Sequence, residues 1–362
     1  MMSNKIKIVK ITKEDYESLV EYLANFLDDD RESEFWRDRL YHWWDNNPYF
    51  KEDDNRGWAL KKNEDIVGFL GNIPMPFYIT KNEIVANTMT NWKVAENYRS
   101  KSINLIYELI AASRDTLLCN STSNENVAKI LDLFRFEKKQ FYKKKMYFSV
   151  INPNKIAKKK LSNAKVLKKL ESILTSIFYL MQYANRGILY FSSHKKVKRI
   201  SKADNTFDNL WDETKNSFSN TIVRDSIFLN WYCFGNKFKS NNLLGFYENN
   251  ELLGFMVLKW ASSVKDELKV IECIDLWVKN NKKYVIKSLL FSANKLSKDL
   301  NADLFVTPVF NEQLFHVLKR SFYFKLPNQN SNSIYIKSDL EAYKLGNNKL
   351  PYITNLVGDY DL

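Results

Sequence analysis

Two cations and several small polar residues lie together at positions 99–104, where the sequence reads Arg-Ser-Lys-Ser-Ile-Asn. Guanidinium and ammonium groups bind phosphate, and small residues let backbone amides approach it. Residues 90–95 have the pattern of a strand, and apolar residues recur at helical spacing from Ile103. The first amides of a helix have no internal partner and attract anions. This strand, basic loop and helix start predict a diphosphate site.

The elements that must position this loop are predicted from apolar periodicity and from turn residues. A strand at 5–10 precedes two helices, of which the second ends before Pro48. The first two helices are predicted at 14–27 and 32–44, and two further helices at 103–113 and 125–134. The remaining strands are predicted at 58–60, 66–72, 76–80, 84–94, 116–120 and 141–150.

The second half of the chain repeats landmarks of the first half at an offset of 185 to 187 residues. Such a repeat indicates a duplication. We therefore predict an N-terminal domain at 1–150, a basic helical linker at 151–205 and a C-terminal domain at 206–362. The matched pairs are Gly68 with Gly254, Trp92 with Trp277, Asn124 with Asn311, and Lys138 with Lys325.

The two copies differ at the basic loop. Shifting Arg99, Ser102 and Asn104 by 185 positions gives Tyr284, Lys287 and Leu289. Bulky side chains at these positions keep a backbone away from a pyrophosphate. The diphosphate site is therefore predicted on the N-terminal copy, and the C-terminal copy is expected to be structural and to bind the acceptor.

Composition limits the classes of protein that this chain can represent. Its 362 residues are 45% hydrophobic and 15% aromatic, enough for two buried cores. Three separated cysteines and three histidines favour a reducing, cytoplasmic location and no metal site. The net charge of +13 suits anionic small substrates, whereas the lysine-dominated basic stretches do not have the interleaved aromatics of a nucleic-acid groove. No apolar run approaches bilayer length, so we expect no stable membrane insertion.

The loop resembles motif A of the GNAT superfamily of acyl-CoA-dependent acyltransferases, with Ser102 and Asn104 in place of two glycines. The order of predicted elements also matches that fold, in both halves. The resemblance implies an α/β fold of two tandem GNAT-like domains with mixed sheets flanked by helices. It also implies an acyl-CoA co-substrate, acetyl-CoA or a short hydroxyacyl-CoA. The residues expected to bind it are Trp92, Val94, Arg99, Ser100, Lys101, Ser102, Ile103, Asn104 and Asn124.

Acyl transfer needs a group to stabilise the developing oxyanion and a group to protonate the leaving thiolate. Many relatives use a tyrosine on the late helix, but the matching position here is Leu131. Asn120 and Thr122 are therefore the expected catalytic donors. The base is left open between Glu96, a residue of the second domain and water. Cys119 is expected to face the core.

The aromatic and amide cluster after the second helix is the candidate acceptor site. Trp43 and Trp44 offer faces for a sugar or base, and Asn47 offers an amide for hydroxyls. A hydrophobic plug at the helix end is an equal alternative. Asp275 and Asp359 supply carboxylates for an amine, although the chain terminus commonly frays.

The whole chain is similar to the tandem GNAT acyltransferases of bacterial surface-polysaccharide pathways, which are distantly related to the FemAB aminoacyl transferases. The group that it most resembles N-acylates dTDP-linked 3-amino-3,6-dideoxyhexoses. That resemblance implies a nucleotide sugar as partner, and a monomer or homodimer. The alternatives are a polysaccharide or peptidoglycan acceptor, a tRNA-using transferase, and a binding module without catalysis.

The predicted linker contains an apolar stripe with lysines opposite. Such a helix can lie on a membrane, but it more often docks on the core of its own protein. We favour docking. The stripe comprises Val166, Leu167, Leu170, Ile173, Leu174, Ile177, Phe178 and Met181.

Overall fold

The structure is a computed structural model of the chain. It describes residues 6–26, 31–121, 123–140, 143–161, 168–190, 196–218, 220–238, 241–262, 268–326, 333–341 and 352–357. Two compact units are present in it. The first unit comprises Met1–Lys139, Lys215–Lys239 and Asn332–Leu362, and the second unit comprises Gln140–Thr214 and Ser240–Ser331.

The α-helices of the described residues are numbered in chain order. They are α1 (Tyr16–Ala24), α2 (Ser33–Trp43), α3 (Ser102–Ala112), α4 (Glu125–Leu133), α5 (Pro153–Leu161), α6 (Lys168–Tyr190), α7 (Asn205–Thr214), α8 (Ser226–Phe234), α9 (Lys283–Asp299) and α10 (Glu312–Arg320). The predicted helices at 14–27, 32–44, 103–113 and 125–134 correspond to α1 to α4, with ends that differ by at most three residues.

The strands are numbered in the same way. They are β1 (Ile6–Lys10), β2 (Gly57–Lys62), β3 (Asp65–Ile79), β4 (Asn82–Val94), β5 (Leu118–Asn120), β6 (Glu137–Gln140), β7 (Lys143–Val150), β8 (Val197–Ile200), β9 (Asn220–Ile222), β10 (Asn242–Glu248), β11 (Glu251–Ser262), β12 (Lys269–Val278), β13 (Leu304–Val309), β14 (Phe324–Lys325) and β15 (Ser333–Lys337).

The two sheets have the same plan. In the first unit the order is β1-β2-β3-β4-β5-β15-β6, with β9 added to β3, and β4 and β5 are parallel. In the second unit the order is β14-β7-β13-β12-β11-β10-β8, with β12 and β13 parallel. The mixed α/β fold class and the tandem arrangement are therefore confirmed.

The landmarks of the predicted duplication fall on equivalent elements. Trp92 lies on β4 and Trp277 on β12, the first strand of the parallel pair in each sheet. Asn124 caps α4 by accepting from the Val127 amide, and Asn311 caps α10 by accepting from the Leu314 amide. Each cap satisfies an amide that the first helical turn leaves without a partner.

Two strands pair in the sheet of the other half of the chain. The predicted strand at 141–150 forms as β7, but it pairs with β13 in the second unit instead of closing the first. In the first unit the place beside β5 is taken by β15, from the other end of the chain. Each compact unit is thus assembled from separate stretches of chain, whereas the predicted domains at 1–150 and 206–362 are continuous.

A second difference from the sequence expectation concerns β3. The predicted strands at 66–72 and 76–80 are one strand of 15 residues that runs through Pro74 and Pro76. Strand β2 pairs with β3 up to Gly71, and β9 pairs with it only from Phe77 to Ile79. The prolines therefore lie where β3 has a strand neighbour on one side only, and proline is tolerated at such edges.

A hydrophobic core between α3, α4 and the sheet supports the loop of interest. It is built from the inward side chains of these helices and of β2 to β5, with one residue of β15. Its fully or nearly fully buried members are Trp58, Leu60, Leu70, Met89, Val94, Leu105, Ile106, Leu109, Leu118, Leu131, Phe136 and Tyr335.

We predict that a fragment of residues 1–150 does not fold cooperatively. It lacks β15 and β9, so β5 and β3 lose neighbours, and Tyr335 leaves the core. Unpaired strand edges also promote association. Urea unfolding followed by circular dichroism should show no sigmoidal transition for the fragment and a clear one for the full chain. A sharp, two-state transition of the fragment alone would contradict the assembly described above.

Candidate functional site

The parallel strands β4 and β5 separate soon after they meet. Their register pairs Asn87 with Leu118 and Thr88 with Cys119, although β4 continues to Val94. Strand β5 does not lose its support where β4 departs, because it is paired along its whole length with β15. The result is a gap in the first sheet that opens toward the start of α3.

A β-bulge lies on the β4 side of this gap. Gly71 pairs with Thr90 and Phe69 pairs with Lys93, so that Asn91 and Trp92 together oppose one residue of β3. Asn91 has a φ of 45° in the left-handed region, which asparagine tolerates better than most residues. A bulge changes the direction of backbone groups locally. This one lies where β4 leaves β5.

Buried polar atoms without a partner collect at the same place. Asn120 at the end of β5 donates weakly from Nδ2 to the Met89 carbonyl across the gap, at 3.5 Å. Within the described residues, no partner is found for the Asn120 Oδ1, the Ser121 Oγ or the Trp92 Nε1, all of which are buried. Unpaired buried polar atoms are costly and often mark functional sites. Thr122, the other expected donor, lies outside the described residues.

The basic loop is a 3-10 turn, Glu96–Lys101, that leads directly into α3. The side chains of Arg99, Ser100 and Lys101 are exposed, and the guanidinium of Arg99 lies 3.5 Å from the Glu96 carboxylate. Ser102 holds the turn closed, because its amide and its hydroxyl both donate to the Arg99 carbonyl. A glycine could supply only the first of these two bonds.

The other residues expected to bind the co-substrate have different environments. Val94 is buried in the core, Trp92 and Asn104 are half-buried, and Ile103 is exposed on the first turn of α3. Asn124 is exposed, but its side-chain oxygen already accepts from the Val127 amide at 2.9 Å. Its binding role stays a prediction, as do those of the other residues.

Two side chains near the gap are excluded from proton transfer and nucleophilic attack. Leu131, at the position where the GNAT resemblance leads one to expect a proton-donating tyrosine, is fully buried in the core. Cys119 is also fully buried, and burial raises the pKa of its thiol to about 12. A thiolate is therefore essentially absent at neutral pH.

A groove of about 480 Å³ lies at the end of β4 in the first unit. Its polar lining contains four carboxylates and one guanidinium, together with Tyr22, whose hydroxyl donates to the Lys93 carbonyl at 3.0 Å. Burial raises the pKa of the Tyr22 phenol, so it stays protonated. The charged residues of the lining are Glu21, Glu64, Asp65, Glu96 and Arg99.

The aromatic cluster after α2 has a structural task. Trp43 and Trp44 are fully buried and present no ring face to solvent. The Trp44 Nε1 donates to the Asn72 carbonyl at 2.7 Å, and the Asn47 Nδ2 donates to the Pro74 carbonyl at 2.9 Å. These side chains satisfy carbonyls of β3 where that strand has a strand neighbour on one side only. The structure therefore corresponds to the helix-end plug rather than to an open acceptor site.

Asp275 and Asp359 are the two further acceptor candidates. Asp275 lies on β12 in the second unit and is fully buried. Asp359 lies outside the described residues. The residues just before it, 352–357, are buried in the first unit, where Tyr352 donates its amide to the Asn220 carbonyl.

The second copy uses its equivalent loop residues for internal contacts. The Tyr284 hydroxyl donates to Glu248 at 3.1 Å, and the Lys287 Nζ donates to the Ile188 carbonyl at 3.3 Å. Burial and the nearby Lys283 lower the pKa of Lys287. Leu289 is fully buried. These contacts agree with the prediction that this copy does not hold a diphosphate.

Three residues of the site were not expected from the sequence. Asn91 supplies the bulge, Ser121 adds an unpartnered hydroxyl, and Tyr22 lines the groove. An asparagine inside a strand pattern is a weak signal of left-handed backbone. Ser121 and Tyr22 give no such signal, since serine after a strand and tyrosine on an amphipathic helix are both ordinary.

Metal and disulfide chemistry find no support among the described residues. No group of three or more His, Cys, Asp or Glu side chains there could hold a metal ion. The three cysteines, Cys119, Cys233 and Cys273, are free and buried.

No protein-family model matches the sequence, and no curated protein sequence matches it. Solved structures do match. They include Saccharomyces cerevisiae N-myristoyltransferase with bound myristoyl-CoA, at 12% identity and a TM-score of 0.54, covering 93% of this chain and 79% of that chain. A probable N-acyltransferase of unknown function from Enterococcus faecalis V583 has 12% identity and a TM-score of 0.57, covering 94% and 74%.

A GCN5-related N-acetyltransferase from Kribbella flavida also matches, at 11% identity and a TM-score of 0.56, covering 92% of this chain and 70% of that chain. At such low identity these likenesses establish the fold, which here is the tandem GNAT fold. Function has to be argued from the site.

We predict that Trp44→Phe destabilises the protein more than Trp43→Phe. Both rings are fully buried, so both variants leave a similar void. Only Trp44→Phe also leaves a buried carbonyl without its donor, which costs about 1–3 kcal/mol more. No described residue accepts from the Trp43 Nε1, so that residue is the matched control. Urea unfolding of both variants measures the difference, and equal losses would contradict this role of Trp44.

Proposed function

We propose that this protein is an acyl-CoA-dependent N-acyltransferase whose donor binds in the first unit. The observation that carries the proposal is the gap between β4 and β5, with its bulge at Asn91 and its opening toward exposed Arg99 and Lys101. The fold shared with an N-myristoyltransferase solved with bound myristoyl-CoA supports an acyl-CoA as the donor.

In this proposal the diphosphate of coenzyme A contacts Arg99, Ser100 and Lys101 at the start of α3. These side chains are exposed, and the helix dipole adds to their charge. The pantetheine arm runs along β4 past Trp92. Its thioester then lies near the bulge and near Asn120, whose side chain already spans the gap.

Transfer proceeds directly from donor to acceptor. The nitrogen of the neutral amine attacks the thioester carbonyl carbon, and the tetrahedral intermediate expels the thiolate when the C–S bond breaks. Backbone amides at the bulge and the Asn120 amide stabilise the oxyanion. Water accepts the proton that the amine loses. The buried thiol of Cys119 forms no acyl-enzyme.

The proposed acceptor is an amino sugar, most specifically the amino group of a dTDP-linked amino-dideoxyhexose. Four carboxylates in the groove favour a protonated amine at its mouth. The sugar end of such a substrate therefore enters the groove.

The second candidate is transfer to an amine of a glycan or peptidoglycan peptide, which the same acidic groove also suits. Thiol release from acetyl-CoA and from short hydroxyacyl-CoAs, measured with each acceptor class, separates the two. Turnover with dTDP-amino sugars supports the first candidate. Turnover only with lipid-linked glycan or peptide amines supports the second.

We predict that Arg99→Ala and Lys101→Ala each weaken coenzyme A binding about tenfold, since each removes a charged contact to phosphate. Arg114→Ala is the matched control, because Arg114 is equally exposed but follows the other end of α3. Titration calorimetry measures the affinities, and rising salt should weaken wild-type binding. Absence of binding to the wild type, or equal binding by all three variants, would refute the donor site.

We also predict that Cys119→Ala transfers acyl groups at a rate within about twofold of the wild type, because a buried thiol with a pKa near 12 is not a nucleophile. Asn120→Ala should lower kcat about tenfold or more while coenzyme A still binds. Thiol release and intact-protein mass measure both effects. An acyl adduct that disappears in Cys119→Ala would show covalent catalysis instead.

A further inference from the structure

Helix α6, in the second unit, has an apolar side that faces solvent. Ile173 is 55% exposed, Leu180 is 70% exposed and Tyr183 is 79% exposed. With Leu170 and Ile177, which are also exposed, they recur every three or four residues and form one stripe. Residues 172–185 contain no charged side chain. A solvent-facing helix side is ordinarily polar, so this one needs a partner.

The opposite side of α6 already has its partner. Phe178 is buried and Leu174 packs beside it, in a small core with Val150 of β7 and Ile156 and Ala157 of α5. Phe178 and Leu174 therefore dock on the core of the protein, as expected for the apolar stripe. Leu170, Ile173 and Ile177 of the same stripe point outward. The exposed stripe is a second apolar surface, and the fold of the described residues does not cover it.

The two helices of this region carry a surplus of positive charge. Residues 153–190 contain eight Lys or Arg against one Glu. Lys158, Lys159 and Lys160 are exposed at the end of α5, which packs against α6. Exposed tyrosines, Tyr179, Tyr183 and Tyr190, lie along the same helix. Aliphatic side chains with flanking lysines and tyrosines are typical of surfaces that lie at a membrane interface.

We propose that the α5–α6 surface, formed by the exposed stripe of α6 and by Lys158–160, binds the protein peripherally to an anionic phospholipid membrane. None of the described helices is long and apolar enough to cross a bilayer, and this proposal needs no crossing. The aliphatic side chains enter the boundary between headgroups and acyl chains. The lysines lie at the level of the lipid phosphates, whose negative charge attracts them.

Charge favours this occupant over a second copy of the chain. A two-fold contact through the stripe would bring the lysines of two copies toward each other, and like charges at an interface oppose association. An anionic lipid surface has the opposite sign. The proposal does not depend on the acyltransferase activity, because the surface belongs to the second unit and the donor site to the first.

The test is sedimentation of the full chain with large vesicles of phosphatidylcholine, with and without phosphatidylglycerol. The wild type should bind only the anionic vesicles, and less at high salt. Ile173→Ser with Leu180→Ser should lower that binding about tenfold or more. The control pair is Leu133→Ser with Ile227→Ser, two equally exposed apolar residues of the first unit, which should bind as the wild type does.

A second variant separates the contribution of charge to vesicle binding from the contribution of apolar contact. Lys158→Gln, Lys159→Gln and Lys160→Gln together should weaken binding to anionic vesicles and reduce its salt dependence. Thermal unfolding of every variant verifies folding. The proposal is overturned if the wild type does not sediment with anionic vesicles, or if Ile173→Ser with Leu180→Ser binds unchanged. It is also overturned if the wild type is a dimer that this pair dissociates and no vesicle binding occurs.

Discussion

The first unit depends on one constraint, which is that β5 must be held by a strand other than β4. A strand of three residues with two ladder pairs to one neighbour would be marginal alone. Strand β15 pairs with Leu118, Cys119 and Asn120, so β5 stays in the sheet while β4 bends away at its bulge. The gap, the unpartnered oxygens of Asn120 and Ser121, and the position of the basic loop all follow from that support.

Local patterns were sufficient to predict most of the elements around the site. The change of apolar period at Ile103 marks α3 to within one residue, and Asn124 is the cap of α4 that its residue type suggests. The repeat at about 186 positions led to the tandem fold, because matched landmarks occupy matched elements in both sheets. These features were predictable because they depend on residues that are close together in the sequence or on the constant offset of the repeat.

Features that depend on distant parts of the chain were not predictable in this way. The pattern of β7 indicates a strand but does not say which sheet it joins. Trp44 looks like a ligand platform until its indole is seen to donate to a carbonyl of β3, in a place that exists only because β2 ends and β9 begins late. The residue type determines which interactions a side chain can make, and the fold determines which of these interactions it makes.

The pairing of β5 with β15 also affects how the protein is made. Asn120 leaves the ribosome long before Tyr335, its partner in the ladder. At ordinary rates of translation the delay is about ten to forty seconds. During that time the nascent first sheet has an open edge beside β5, where chaperones or aggregation compete with folding. The gap beside β5 is therefore supported only after Tyr335 has been synthesised, and a chain truncated before β15 would lack that support.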